Sequence, residues 1–410
     1  MNDIFISELK NGFRVVFYQD KNAVVGHCAL MIGAGTRNEK NNQSGLAHFI
    51  EHMLFKGTKK RKSVQILNRL EVVGGELNAF TSKEETCVHA SFLTQHLYRS
   101  VELIADIVLN SVFPAKEIEK EKEVIKDEIR MYNDTPSEQI YDDYEAQIFK
   151  GSTLGNPILG TNETLQKFKQ SDLISFVRNN YNAGKMILSV YGNYSTKQVE
   201  EISEELFSSI KSGERNSDNS KVLKRREDQI IRKPISQCHY IIGNLSYSLQ
   251  SKSRTAMVLL NNILGGPGMN SRLNLAVREK FGYSYAIESG YHAYTDNGVF
   301  HLYLATEKKY LNKSVSLAKK ELKKLMDKKI GSSALKNYKS QFIGQLALAN
   351  ENKGNVAISA SKSMLHFNKP FLLKEVIEKV NAVNEKEIYV CANEVFDLQN
   401  MSTLLFEAEN

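Results

Sequence analysis

The same order of strand and helix patterns runs twice along the 410 residues of this chain. In the first half an alternating strand (13–18) and an apolar strand (24–32) precede a helix (44–55), a hairpin-like stretch and two long helices. In the second half a strand (238–245) precedes a helix (254–264), a strand pair and two further helices. Each half ends on a helix followed by an apolar strand. Repetition of a unit of about 200 residues indicates duplication.

A polar segment separates the two copies. Residues 211–229, KSGERNSDNSKVLKRREDQ, carry many charges and few apolar side chains, which is the composition of a linker. We therefore expect one domain over 1–210, a linker over 211–229 and a second, homologous domain over 230–410. The predicted fold class is α+β, with two similar domains related by duplication and each built from a mixed β-sheet packed with helices.

Composition excludes several classes of protein. No apolar run approaches the roughly 18 residues that a membrane span requires. The opening residues lack the apolar segment of a secretory signal and the Arg-rich pattern of a transit peptide, so we expect a cytoplasmic protein that does not associate with a membrane. The net charge of +7 comes without an RNP, zinc-finger or helix-turn-helix signature, and we expect no nucleic-acid partner.

The cysteines do not suggest a disulfide framework or a thiolate zinc site. Cys28, Cys87, Cys238 and Cys391 lie far apart, with no Cys-x-x-Cys spacing among them. We interpret them as ordinary reduced thiols.

A metal-binding pattern lies in the early helix of the first half, SGLAHFIEHMLFKGT. His48 and His52 are four residues apart, so on a helix both imidazoles project from one face, at a spacing that allows them to share a tetrahedral zinc ion. Glu51 lies on the same side, where its carboxylate can reach a water molecule beside the metal. A capped surface pair with a neighbouring helical acid is the structural alternative.

Two histidines leave a catalytic zinc short of one protein ligand, and a carboxylate is the usual third. The helix PAKEIEKEKEVIKDEIRMY offers many acids, so their positions on a helical wheel are informative. Glu121 and Glu128 fall within an apolar stripe, which we expect to consist of Ile118, Val124, Ile125, Ile129, Met131 and Tyr132. A carboxylate that faces the core requires a cation or strong donors. We assign Glu128 to the metal, while Glu121 either orients a ligand or water or has a structural role.

The corresponding helix of the second half contains no equivalent site. Between Ser253 and Gly265 the sequence has no His, Asp or Glu. We therefore expect the second domain to have kept the scaffold without a metal, so that one half of the chain is catalytic.

These residues resemble the inverted-motif (His-x-x-Glu-His) zinc peptidases, the M16-type or insulinase-like family, which includes the mitochondrial and bacterial processing peptidases and the insulin-degrading enzymes. The resemblance covers the whole chain and rests on four stretches: HFIEHMLFKGT at 48–58, GGELNAFTSKEET at 74–86, the helix ending in KDEIRM, and NSRLNLAVREKFGYSY at 270–285. The length is similar to that of the short branch, in which two chains, each with two α+β domains, close around a central chamber.

The resemblance implies a function and a role for each matching residue. The chain would be a zinc-dependent metalloendopeptidase, a hydrolase acting on peptides or unfolded protein segments, with one Zn²⁺ per chain. His48, His52 and Glu128 would bind the metal, and Glu51 would be the general base on the water that zinc activates. Glu121 would be an acid that orients a metal ligand without binding the metal itself.

The resemblance also assigns residues outside the metal-binding helices. Arg278 and Tyr285 match the family's Arg and Tyr pair, which reaches the active site from the opposite half of the dimer, so in a homodimer they would act in trans on the other chain's substrate. Asn78, Ala79 and Phe80 belong to a strand that looks like an open edge, to which an extended peptide could add.

Two acids after the metal-binding helix have two alternative interpretations. Glu138 and Asp142 lie in the stretch where the mitochondrial relatives receive substrate arginines, and a solvated helix face is the alternative.

Two further alternatives concern the function of the whole chain. One is a noncatalytic scaffold or subunit of a heterodimeric processing peptidase, and the other is the catalytic partner of an inactive paralogue. The presence of every ligand and catalytic residue favours the enzyme, and we expect it to be a homodimer.

Overall fold

The computed structural model describes residues 3–213, 222 and 226–409. The strands are β1 (Asp3–Glu8), β2 (Arg14–Gln19), β3 (Val25–Ile32), β4 (Glu76–Thr81), β5 (Thr86–Leu93), β6 (Met186–Gly192), β7 (Asp228–Lys233), β8 (Cys238–Ser246), β9 (Ser284–Ala293), β10 (Gly298–Thr306) and β11 (Ser402–Ala408). The helices are α1 (Leu46–Leu54), α2 (Ser63–Glu71), α3 (Leu97–Leu109), α4 (Ala115–Asn133), α5 (Pro136–Ile148), α6 (Asn162–Lys167), α7 (Gln170–Asn180), α8 (Thr196–Phe207), α9 (Arg254–Gly265), α10 (Leu311–Asp327), α11 (Ser332–Ala349), α12 (Lys353–Phe367), α13 (Leu373–Ala382) and α14 (Glu385–Val395).

The chain forms two compact units, and neither is one continuous stretch of sequence. The first consists of Met1–Arg130, Asn156–Asp218 and Ala349–Leu372, and the second of Met131–Gly155, Asn219–Leu348 and Leu373–Asn410. The compact units are thus interleaved, whereas the predicted domains at 1–210 and 230–410 are contiguous. Of the predicted linker at 211–229, residues 214–221 and 223–225 lie outside the described residues, and its last two positions begin β7.

The first unit is built on a six-stranded mixed sheet in the order β1-β2-β6-β3-β5-β4. Only β2 and β6 pair in parallel among these strands, and β4 lies at one edge. Alternate residues of β3 face opposite sides, as strand geometry requires. Leu30 and Ile32 join the core that contains α1 and α3, while Ala29 and Met31 pack in the core that contains α12. Helices therefore cover both faces, and α1 lies on the face opposite α12.

The second unit is built on a five-stranded mixed sheet in the order β7-β11-β8-β10-β9. β7 and β11 pair in parallel, the other pairs are antiparallel, and β9 lies at an edge. Helix α9 packs against β9, and α5 packs against β8 and β11. Two similar mixed sheets with packed helices confirm the predicted fold class. Within the described ranges, no helix combines the length and the apolar character needed to cross a membrane.

Candidate metal centre

Helix α1 presents both histidines of the sequence motif on one face. The helix is almost entirely buried in the first unit, because apolar side chains at Leu46, Phe49, Ile50 and Met53 pack into its core. The imidazole rings, four residues apart, have centroids separated by 4.6 Å. A short, buried and amphipathic helix thus holds two nitrogen ligands next to each other.

Helix α4 brings Glu128 to these two rings. Glu128 Oε1 lies 3.9 Å from His48 Nε2, and Glu128 Oε2 lies 3.7 Å from His52 Nε2. Both distances are too long for hydrogen bonds. They are close to the roughly 3.4 Å that separates two ligand atoms when each is about 2.0–2.1 Å from a tetrahedral zinc ion. Among the described residues, these three form the only group whose ligand atoms are arranged to hold a metal.

A buried oxygen of Glu128 also indicates a cation between these three side chains. Glu128 Oε2 is buried and, in the part of the chain that the structure describes, has no hydrogen-bond partner. A buried carboxylate oxygen without a partner is destabilising, and a cation between the three side chains would remove that cost. Burial lowers the pKa of His48 to about 3, so its ring is in the neutral form that binds a metal. Two imidazoles and one carboxylate are a donor set that fits zinc.

Glu121 contacts the ring nitrogen of His52 that does not face Glu128. His52 Nδ1 lies 2.9 Å from Glu121 Oε1, and Lys56 Nζ lies 2.6 Å from Glu121 Oε2. Burial alone would raise the pKa of Glu121, but the bonds with His52 and Lys56 hold it below its ordinary value. For His52, burial lowers the pKa, but the hydrogen bond with Glu121 and the nearby carboxylates of Glu51 and Glu128 together outweigh burial, so the net shift is upward. The carboxylate can therefore accept the Nδ1 proton and leave Nε2 directed toward Glu128.

Glu51 lies on α1 beside the edge strand. Thr81 Oγ1, at the end of β4, donates a hydrogen bond of 3.0 Å to Glu51 Oε2. Burial raises the pKa of Glu51, and the bond from Thr81 opposes that shift. A carboxylate whose pKa is raised toward neutrality is a better proton acceptor for general-base chemistry than an ordinary surface glutamate.

Strand β4 offers an open edge next to this carboxylate. It pairs with β5 on one side and has no partner strand on the other among the residues described. Ala79 packs toward the core, whereas Asn78 and Phe80 are exposed on the opposite face. The predicted open edge at these three residues is therefore present in the fold, and it ends at Thr81.

Four of the predicted site residues lie in the second unit. Arg278 belongs to a short π-helical segment, Asn274–Glu279, and its Nε lies 3.9 Å from Glu279 Oε1. Tyr285 is 80% exposed at the start of the edge strand β9. Glu138 and Asp142 lie one turn apart on α5, where Glu138 is exposed and Asp142 is half-buried.

The predicted apolar stripe of α4 is wrong at two positions. Val124 is 51% exposed and Met131 is 66% exposed, while Ile118, Ile125 and Ile129 are buried. The apolar part of the buried side of α4 is narrower than the wheel suggested, because of the predicted stripe only the three isoleucines are buried and Tyr132 is half-buried.

Sequence reasoning also missed Lys56 and Thr81, which contact Glu121 and Glu51. Both lie within the motif stretches HFIEHMLFKGT and GGELNAFTSKEET, but neither has a spacing that would single it out.

Comparison with known proteins gives a consistent result across the chain. A family model described as Insulinase (Peptidase family M16) matches residues 14–162, and one described as Peptidase M16 inactive domain matches residues 167–342. A protein of Rickettsia felis named an uncharacterized zinc protease is 33% identical over 403 residues, which cover 98% of this chain and 97% of that protein. The uncharacterized zinc protease YmxG of Bacillus subtilis is 32% identical over 387 residues, covering 94% of each chain.

Two solved structures share the fold. A crystal structure of a peptidase M16 inactive domain from Pseudomonas fluorescens superposes with a TM-score of 0.92 at 18% identity, covering 100% of this chain and 99% of that one. The structure of a protease from Helicobacter pylori superposes with a TM-score of 0.90 at 21% identity, covering 99% and 100%. Both family models and the relatives matched over almost their whole length establish that the chain belongs to the M16, or insulinase, family of peptidases.

Proposed function

We propose that this chain is a zinc-dependent metalloendopeptidase that hydrolyses peptide bonds in peptides or unfolded protein segments. Membership of a peptidase family and relatives named zinc proteases support the reaction class. The observation that carries the proposal is the arrangement of His48, His52 and Glu128, with a buried Glu128 oxygen that has no partner among the described residues.

Each residue of the centre has a distinct task in this proposal. His48 and His52 would bind the ion through Nε2 and Glu128 would provide the third ligand, while Glu121 accepts the Nδ1 proton of His52 so that its ring keeps that orientation. Bound zinc with an open position lowers the pKa of a water molecule to around 7 and polarises a carbonyl group.

Glu51 moves the protons. Thr81 donates to Oε2 of Glu51, so we assign Oε1 as the atom that accepts a proton from the attacking water. The same carboxyl group then gives the proton to the amine of the departing peptide. Burial, which raises the pKa of Glu51, suits both steps, because the group must take up a proton and release it in each cycle.

The substrate would bind to β4 as an additional strand. The unpaired edge at Asn78, Ala79 and Phe80 offers backbone N–H and C=O groups, and recognition through the backbone favours extended, unfolded segments over folded proteins. The edge ends at Thr81, which donates a hydrogen bond to Glu51, and this contact supports a base at the end of the proposed substrate strand.

The remaining assignments follow from the family resemblance. In a homodimer, Arg278 and Tyr285 would serve the active site of the partner chain, where the Tyr285 hydroxyl would stabilise the developing oxyanion. The exposure of Tyr285 is compatible with such a role. Glu138 and Asp142 would receive basic side chains of the substrate.

Metal analysis combined with cleavage mapping on a mixed peptide pool tests the proposal. We expect about one zinc ion per chain, cleavage of the peptides, loss of cleavage with a chelator and recovery when zinc is returned. Glu51→Gln should keep its zinc and lose about 10²–10⁴-fold in turnover. Glu123→Gln, an exposed acid on α4, is the matched control and should retain full activity.

Two results would contradict the proposal. A metal-free protein that cleaves no peptide would favour the noncatalytic scaffold or subunit. Undiminished turnover by Glu51→Gln would remove Glu51 as the base.

A further inference from the structure

The N-terminus of the metal-binding helix α1 has no side-chain cap of its own. The first N–H groups of a helix have no acceptor within the helix, and a Ser, Thr, Asp or Asn at the N-cap usually supplies one. In α1 the N-cap is Gly45, which has a φ of +91° and no side chain to accept a hydrogen bond. The acceptors must therefore come from elsewhere.

A buried glutamate from six residues upstream supplies them. The backbone N–H of Gly45 donates to Glu39 Oε2 over 3.0 Å, and the N–H of Ala47 donates to Glu39 Oε1 over 2.7 Å. Glu39 is only 5% exposed. Both carboxylate oxygens are thus bound to the first turn of the helix, and Ala47 directly precedes His48.

The packing around Gly45 explains why the cap is remote. A Cβ atom at position 45 would lie 2.6 Å from the carbonyl oxygen of Leu159 and 2.7 Å from the Cα of Gly160, so no capping side chain fits there. Thr164 Oγ1 donates to the carbonyl oxygen of Ser44 over 2.7 Å and fixes the preceding residue. The start of α1 is therefore held by tight backbone contacts and by Glu39.

An acidic group at this position is costly for the fold. Burial raises the pKa of Glu39 to about 8, although the N–H groups of Ala47 and Gly45 oppose the shift. An apolar side chain would avoid the cost of burying a carboxyl group, but it would leave the N–H groups without acceptors. The contribution of Glu39 is its pair of acceptor oxygens, in a defined position relative to α1.

We propose that Glu39 is a positioning residue for the metal centre, whose carboxyl group fixes α1 along its axis so that His48 and His52 stay aligned with Glu128. This inference rests on the proposed function. The ligands of a metal site must be held within about 0.5 Å of their productive positions. A helix rises about 1.5 Å per residue, so a shift of a fraction of one residue at the start of α1 exceeds that tolerance.

Zinc binding by the full-length protein tests the inference in Glu39→Ala and Glu39→Gln. Affinity for Zn²⁺ is measured by competition with a chromogenic chelator, and ligand geometry by the visible absorption of the Co²⁺-substituted protein. We expect Glu39→Ala to weaken zinc binding by about 10- to 100-fold, the range for residues that orient ligands, and to change the Co²⁺ spectrum. Glu39→Gln keeps the shape and one acceptor oxygen, so its loss should be smaller and it should fold even if Glu39→Ala does not.

Ser195→Ala is the matched control. Ser195 caps α8 in the same unit by accepting a hydrogen bond from the N–H of Gln198, and α8 carries no residue of the metal centre. This variant should lower the thermal stability of the apo-protein without changing zinc affinity or the Co²⁺ spectrum. Wild-type zinc affinity and spectrum in both Glu39 variants would overturn the inference. Failure of the wild-type protein to bind zinc would instead overturn the proposed function.

Discussion

The hydrogen bond between His52 and Glu121 predicts how far zinc affinity falls when Glu121 is replaced. The bond between His52 Nδ1 and Glu121 Oε1 is 2.9 Å long, and the Glu121 side chain is only 5% exposed, so solvent screens it little. A hydrogen bond to a charged acceptor contributes about 1.5–3 kcal/mol. In Glu121→Gln, the amide oxygen can still accept from His52, but the carboxylate charge is lost and Lys56 faces an amide group. We therefore expect zinc affinity to fall by about 10- to 100-fold, or roughly 1.4–2.7 kcal/mol.

Competition with a chelator at neutral pH measures this effect directly. Glu119→Gln is the control, because Glu119 lies on the same helix with its side chain 72% exposed and pairs with Lys122 rather than with a ligand. The control should bind zinc like the wild type. Equal zinc affinity of Glu121→Gln and the wild type would refute the reasoning, because the hydrogen bond would then contribute nothing to the orientation of His52.

Three further predictions address other parts of the chain. Burial would raise the pKa of Glu85, but its contacts with His366 and Lys362 of α12 hold the pKa at about 2, below its ordinary value. The stabilisation by Glu85 is therefore present above about pH 4.5 and lost as the pH falls toward 2, and it amounts to at most about 3 kcal/mol. Chemical unfolding at pH 6 and pH 3 should show a smaller pH dependence in Glu85→Gln, and an unchanged dependence would contradict this account. Mixing inactive Glu51→Gln chains with inactive Tyr285→Phe chains should restore part of the peptidase activity, whereas no recovery would argue against action across a dimer. Replacing Glu138 and Asp142 by their amides should reduce any preference for basic residues in a peptide library, and an unchanged preference would favour the solvated helix face.

The grouping of the three candidate metal ligands could be predicted largely from sequence because its main constraint is local. A spacing of four residues places His48 and His52 on the same face of any α-helix, whatever surrounds it. Glu128 required a helical wheel, which selected the acid that lies beside the two histidines even though Val124 and Met131 proved exposed. The wheel assumes that apolar residues are buried, but on α4 the core reaches only one row of them.

Features that depend on distant contacts could not be predicted in the same way. Glu39 acts through backbone N–H groups, which leave no pattern in the sequence. The placement of α12 in the first unit depends on packing against β3 and on the salt bridge between Lys362 and Glu85. A homodimeric assembly and a cytoplasmic location stay predictions.

X-ray absorption at the zinc edge of the purified protein tests the central claim most directly. The account predicts one zinc ion per chain with two imidazole nitrogens and carboxylate or water oxygens at about 2.0–2.2 Å. The imidazole signal should be lost when His48 and His52 are both replaced. Absence of stoichiometric zinc, or zinc coordinated without imidazole, would contradict the assignment of His48, His52 and Glu128 as its ligands.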